Sequence, residues 1–171
     1  MTRITHSTPL GVALALIALA AVLLPAAPLA AASHEESSVA DEVKAVILAG
    51  NAYVREHKQD EPGGTSKEGS LEFWSSGGLL QEVSADEPPA EYESFAIQAK
   101  HIEVIELPGG EAAVAMYYSE GSMQPKGRAP VSHYMTRVTQ VFVKEDGKWV
   151  ARAGHWSPIA AGSGTSQTSV D

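Results

Sequence analysis

The chain of 171 residues contains no cysteine, so neither a disulfide bond nor lipid attachment through a thiol is possible. Positive charge is also scarce. Lys and Arg together number 12 against 21 Asp and Glu, which gives a net charge of −9. Because phosphates and anionic lipid headgroups are bound by clustered cations, we expect no nucleic-acid partner and no membrane-surface partner. The folded part must be stabilised by its hydrophobic core alone.

Residues 1–32 have the pattern of a signal peptide. Arg3 precedes the apolar run "LGVALALIALAAVLL", which two prolines and the small-residue stretch "AAAS" then follow. The run is shorter than the roughly 20 apolar residues that cross a bilayer, which favours cleavage over an uncleaved membrane anchor. We expect cleavage after Ala32 and a periplasmic or secreted protein with no membrane contact afterwards.

The remaining chain divides into a polar leader (33–37), one domain (38–158) and a disordered tail (159–171). The tail "AAGSGTSQTSVD" has no pattern that could form a core. Ser38 and Asp41 have the spacing of a helix N-cap, and the apolar residues that follow predict a helix over 41–58. Residues 59–70 are rich in turn formers and predict an exposed loop.

The second half of the domain predicts a β-sheet. Leu71–Trp74 is either the end of a short helix or a strand, and Leu79–Val83 reads as a strand. Four alternating segments follow, with a bulge predicted near His101 in the first: 92–107, 111–120, 132–145 and 148–156. A helix followed by an antiparallel, curved sheet predicts an α+β fold.

The turn "KEDGK" predicts how the last two strands pair. If Gly147 closes a three-residue loop with a bulge, Lys144 pairs with Lys148 and Arg137 lies opposite His155. One face then carries His133, Met135, Arg137, Thr139, Val141 and Val143 together with Trp149, Ala151, Ala153 and His155. The opposite face carries Tyr134, Val138, Phe142, Val150 and Trp156, and we expect a second subunit to cover it.

The segment "TRVTQVFVKEDGKWVARAGHWSP" resembles the C-terminal hairpin of exported nuclear-transport-factor-2-like (NTF2-like) domains, a superfamily that includes SnoaL-like polyketide cyclases and ketosteroid isomerases. The resemblance extends over about residues 38–158. It implies a cone-shaped, cystatin-like fold, with N-terminal helices in the concave face of a bent sheet, a pocket at the open end and dimers through the sheet. It also implies that an arginine and a histidine such as Arg137 and His155 face the cavity.

These observations select a set of candidate site residues. The predicted ligand-binding pocket is lined by Arg137, His155, His133, Tyr118, Trp74 and Met135, and His155 is the candidate general base. No spacing typical of a metal site is present, so we expect neither a metal nor a cofactor. Ketosteroid isomerase chemistry needs a carboxylate base and tyrosine and acid donors. The predicted pocket face of the hairpin carries no carboxylate, and the sequence leaves open which of Tyr117 and Tyr118 points inward.

Three functions remain open. The first is an exported dimer that binds a small, partly apolar molecule. The second is an isomerase, cyclase or dehydratase that uses His155 as its base. The third is an accessory module that binds another protein through the outer sheet face.

Overall fold

The computed structural model describes residues 37–159. The predicted signal peptide and almost all of the predicted leader and tail lie outside the described residues. No helix within 37–159 combines the length and the apolar composition that crossing a bilayer would require.

One helix, α1 (Val39–His57), begins the described part. The Ser38 side chain accepts a hydrogen bond from the Asp41 amide at 3.2 Å, as the sequence predicted, and caps the first turn. Lys58, in a left-handed conformation, ends the helix by donating its amide to the Val54 carbonyl. The helix therefore begins two residues before the predicted start and ends one residue before the predicted end.

Within the described residues, seven strands form one sheet: β1 (Ser70–Phe73), β2 (Gln81–Val83), β3 (Tyr92–Phe95), β4 (Gln98–Glu106), β5 (Ala112–Pro125), β6 (Val131–Glu145) and β7 (Lys148–Pro158). Their order is β2-β1-β7-β6-β5-β3, with β4 also paired to β5. Pairing is antiparallel except between β1 and β7. The bulge predicted near His101 is confirmed, because β4 shifts register against β5 between Lys100 and Glu103. The α+β prediction is confirmed: one helix packs against a curved, unclosed sheet.

The core lies between the helix and one face of the sheet. Val43 and Ile47 of the helix pack against Ala113 and Ala115 of β5, which are completely buried and small enough to let the helix approach. The other buried members of this cluster are Tyr117, Val138, Phe142 and Trp149. This side of the sheet is called the inner face below.

A polar contact ties the start of the helix to the last hairpin. The Glu42 carboxylate accepts hydrogen bonds from the Trp149 indole at 2.6 Å and the Lys144 ammonium at 2.7 Å. These two donors, led by Lys144, hold the pKa of Glu42 below its ordinary value. The contact fixes the first turn of the helix to strands β6 and β7.

The predicted register of the last hairpin is wrong. Asp146 and Gly147 both have positive φ angles, 49° and 78°, and form a two-residue turn, so that Lys144 pairs with Trp149. A bulge then leaves Arg152 unpaired between Ala151 and Ala153. Arg137 therefore lies opposite Ser157, and Thr139 lies opposite His155.

The assignment of the two hairpin faces is also corrected. The face that we expected a second subunit to cover is mostly the inner face, where the helix and core bury Val138 and Phe142. Trp149 and Ala151 lie on this face too, because the two-residue turn pairs them with Lys144 and Phe142, and the bulge then turns Ala153 and His155 to the opposite face. Arg137 and His155 do share a face, but it is the opposite one, which points away from the helix.

Candidate functional site

The face of the sheet that points away from the helix is called the outer face, and three rows of side chains run across its strands. The register places one side chain from each of several strands in every row. The first row is Ile105, Val114, Val141, Ala153 and Leu71. The second row is Glu103, Met116, Thr139, His155 and Phe73. The third row is Lys100, Tyr118, Arg137 and Ser157.

Large apolar side chains remain exposed on the outer face. Ile105 is 56% exposed and Met116 is 50% exposed, although both lie within regular strands. Tyr118, Phe73 and Leu71 are 44%, 46% and 41% exposed. Because the first row is apolar along its whole width, the outer face presents a continuous hydrophobic stripe, and such stripes mark interaction surfaces.

The charges on the outer face lie beside this stripe. Within residues 37–159, neither Arg137 nor Glu103 forms an ion pair, whereas Lys100 pairs with Glu120. The His155 ring contacts the Phe73 ring edge-to-face, with 5.5 Å between ring centroids. Glu103 and His155 stand near opposite ends of the second row.

Most of the predicted site residues are brought together here rather than on the concave side. Arg137, His155, Tyr118, Met135 and His133 all point to the outer side of their strands and are exposed. The sixth residue, Trp74, lies just after β1 and donates its indole N–H to Glu72 at 2.7 Å. The prediction that Arg137 and His155 line a shared hollow is therefore wrong, since the two side chains lie on an exposed sheet face. Whether they bind a ligand stays a prediction.

The two surface depressions described next do not bring the predicted site residues together either. One depression of about 370 Å³ lies beside the β5 bulge at Gly121, and its lining includes His133 and Met135. A second, of about 210 Å³, lies between α1 and β4 and is lined by Leu48, Asn51, Arg55, Gln98 and Ala99. Arg137 and His155 line neither.

A second group of polar side chains lies on the concave side, and we call it the inner cluster: Asp60, Glu72, Tyr92, Tyr117 and Tyr134. The Tyr92 hydroxyl donates to Asp60 at 3.1 Å, and the Tyr134 hydroxyl donates to Ser75 at 3.1 Å. Tyr117 donates to Gln140. The question left open by the sequence is thereby answered: Tyr117 points inward and Tyr118 outward.

Burial shifts the pKa of three members of the inner cluster. Desolvation raises the pKa of Asp60 above its ordinary value, and the nearby negative charge of Glu72 adds to the rise. Desolvation likewise raises the pKa of Tyr92 and of Tyr117, so both phenols stay protonated. A desolvated carboxylic acid beside tyrosine hydroxyls is an arrangement typical of binding sites.

Two hydroxyl groups next to the inner cluster lack a hydrogen-bond partner. Thr136 lies two residues after Tyr134 on β6, and Ser70 lies two residues before Glu72 on β1, so each points to the same side of its strand as that neighbour. Thr136 is 1% exposed and Ser70 is 2% exposed, and neither side-chain oxygen has a partner among the described residues. Unsatisfied buried hydroxyls are uncommon in folded proteins.

Sequence reasoning missed the inner cluster. Asp60 was assigned to an exposed loop, whereas its backbone amide donates to the Ala90 carbonyl and the Tyr92 amide donates to Lys58. These two bonds join the end of α1 to β3. The facing of Glu72 could not be predicted, since the segment 71–74 was ambiguous between helix and strand.

No family model matches the chain, and no curated protein matches it. Several solved structures do. A protein from Xanthomonas campestris, described as a candidate calcium/calmodulin dependent protein kinase II association domain, is 18% identical, with a TM-score of 0.50 over 71% of this chain and 89% of that one. A protein of the same description from Exiguobacterium sibiricum is 11% identical, with a TM-score of 0.50 over 71% and 93%.

An NTF2-like protein from Cytophaga hutchinsonii is also among the matches, at 13% identity and a TM-score of 0.45 over 71% of this chain and 93% of that one. The two association domains show that the chain has their fold. The resemblance drawn from the hairpin is confirmed at the level of the fold.

Proposed function

We propose that this protein is an association module in which the outer faces of two copies pack against each other. The observation that carries the proposal is the apolar row from Ile105 to Leu71, which crosses five strands and remains open to solvent. Burial of apolar surface contributes roughly 25 cal/mol per Å², so a stripe of this kind favours a partner. The two solved structures that share the fold are described as association domains, which supports the same function.

The charges of the outer face favour a second copy as the partner. A twofold rotation about the middle of the second row, at Thr139, places Glu103 of one copy near the side that carries His155 in the other. Isologous interfaces need such self-complementarity. Glu103 lacks an ion-pair partner within residues 37–159, so its carboxylate is available to the other copy.

Sedimentation velocity of the purified protein over a range of concentrations tests this proposal. We expect a dimer for the native protein and a monomer for Ile105→Glu, because a buried, unpaired carboxylate opposes the interface. Leu48→Glu is the matched control, since Leu48 is an equally exposed apolar residue on the helix and should leave the dimer intact. A native monomer at all concentrations, or a dimeric Ile105→Glu, would show that the outer face does not associate.

We also propose that the concave side binds a small molecule. The inner cluster supports this second function, because it joins a desolvated carboxylic acid, three tyrosine hydroxyls and two unpartnered hydroxyls. Catalysis by His155 has no such support: among the described residues its ring contacts Phe73, and it forms no ion pair with a carboxylate.

We propose further that both functions are exercised after export. The apolar run and the "AAAS" site near the start of the chain support this localisation.

A further inference from the structure

The inner cluster holds negative charge without a compensating cation. Asp60 and Glu72 are close enough for the charge of Glu72 to act on the ionisation of Asp60. The interactions that shift Asp60 come from burial, Tyr92, the Ala90 backbone and Glu72, and none comes from a lysine or an arginine. Within residues 37–159, neither carboxylate belongs to a salt bridge. A desolvated carboxylate that lacks a counter-charge is stabilised by a cation that binds beside it.

An aromatic side chain contacts each of these carboxylates. The Tyr92 ring contacts Phe95 edge-to-face at 5.1 Å between centroids, and the Tyr92 hydroxyl lies on Asp60. The Trp74 indole, about half exposed, is held against Glu72 by its hydrogen bond. Faces of tyrosine and tryptophan attract organic cations through their π electrons, and carboxylates beside such rings are a common way to bind ammonium groups.

The unpartnered hydroxyl beside Glu72 supplies the second, independent observation. Ser70 and Thr136 are almost completely buried, and each lies on the same side of its strand as a member of the inner cluster. A serine or threonine oxygen accepts hydrogen bonds as well as donating one. The register puts Ser70 beside the Leu71–Ala153 pair and Thr136 at the Thr136–Pro158 pair, so a small ligand beside Glu72 reaches only the Ser70 hydroxyl. An ammonium or a ligand hydroxyl placed there would give Ser70 the partner that the protein does not.

Deepening the small-molecule-binding function proposed above, we propose that the inner cluster binds a small organic cation, a primary amine or a quaternary ammonium compound. Asp60 and Glu72 pair with the positive charge, and Tyr92 and Trp74 contact the attached methyl or methylene groups. A divalent metal ion is a weaker fit. Such ions need several converging oxygen ligands, and no group of three histidine or carboxylate side chains within 37–159 is arranged to supply them.

Titration of the purified protein with tetramethylammonium, choline, butylamine and putrescine, followed by NMR of the tyrosine and tryptophan ring protons, tests the proposal. The neutral isostere of choline, 3,3-dimethylbutanol, is the matched control ligand. We expect at least one of the cations to shift the Tyr92 and Trp74 resonances in a saturable way. The neutral alcohol should bind at least tenfold more weakly, because it cannot pair with a carboxylate.

Variants locate the effect. Asp60→Asn keeps an oxygen that accepts from Tyr92 but removes the charge, and we expect it to weaken cation binding at least tenfold. Glu61→Gln removes a charge one residue away on an exposed side chain and should leave binding unchanged. Glu72→Gln keeps the oxygen that accepts from Trp74 but removes the charge. It provides a second test of cation binding if Asp60→Asn fails to fold.

Three results would overturn the assignment: equal binding of the cation and the alcohol, cation binding that survives both Asp60→Asn and Glu72→Gln, or no saturable shift with any of the four cations up to tens of millimolar. The first would leave a small-molecule site of a different ligand class in place. It thereby separates failure of this inference from failure of the small-molecule-binding function.

Discussion

Replacing Val138 by alanine tests which side of the sheet is the core. Val138 is 2% exposed and packs in the cluster formed with the helix. The change removes two methyl groups, worth about 1.6 kcal/mol of transfer free energy, and the residual cavity raises the expected loss in the free energy of unfolding to about 2 to 3 kcal/mol. The size of the loss follows from burial within one chain, so it should not depend on protein concentration.

Urea unfolding followed by circular dichroism measures this loss. We expect the midpoint to fall while the slope with denaturant stays the same, because the surface exposed on unfolding hardly changes. Met116→Ala on the outer face is the matched control: Met116 is half exposed, so at concentrations below dimer formation the cost should stay within about 0.5 kcal/mol. If Val138→Ala cost less than Met116→Ala under those conditions, the assignment of the two faces would be refuted.

The remaining predictions concern ionisation, backbone strain and processing. Since the folded-state pKa of Asp60 is raised, its contribution to stability is present in acid and is lost as the pH rises through that value. Between pH 4 and pH 7, the free energy of unfolding should therefore change less favourably for the native protein than for Asp60→Asn, and an identical change in both would contradict the buried carboxyl. Gly121→Ala should destabilise by more than about 1 kcal/mol, because φ is 146° and a Cβ would overlap the Ala96 carbonyl oxygen. Gly50→Ala, with open space around it, should stabilise the helix by roughly 0.5 to 1 kcal/mol, and thermal unfolding of the pair would expose an error in either sign. N-terminal sequencing of the protein exported from its host should begin at Ser33, and an intact Met1 would rule out cleavage.

Several elements were predictable because their signals are local. The capping residue Ser38 and the apolar spacing behind it describe helix α1 without reference to any other part of the chain. Strict alternation and turn residues likewise located strands β5, β6 and β7 within a few residues of their ends, apart from the extension of β5 beyond Gly121. The bulge near His101 was visible as a change of phase in the alternation.

The hairpin register was not predictable, because contacts from elsewhere decide it. Ala151 donates its amide to the Gly64 carbonyl and accepts from the Ser66 amide, so a distant loop occupies the backbone groups of β7 at this point. The bulge at Arg152 begins beside these bonds and reverses which side chains of β7 face the helix. Arg137 and His155 share a face as predicted, but the face itself is the outer one.

The inner cluster was not predictable from the sequence for the same reason: contacts between distant segments form it. Asp60 and Tyr92 are far apart in the chain and meet because backbone hydrogen bonds join the end of α1 to β3. Nothing in the residues around either one indicates this contact, and the candidate pocket predicted from the hairpin therefore contained neither.

By itself, the sequence determined the class of the fold, the position of the helix and the main strands, and the fact that no disulfide holds them together. Those features depend on short-range periodicity, on capping and on composition. Only the tertiary structure decided which sheet face is covered by α1, which tyrosine points inward and which carboxylates lose water. Facing and desolvation depend on the register of the last hairpin, on the bulge at Arg152 and on contacts between distant segments, and the local sequence pattern does not specify these.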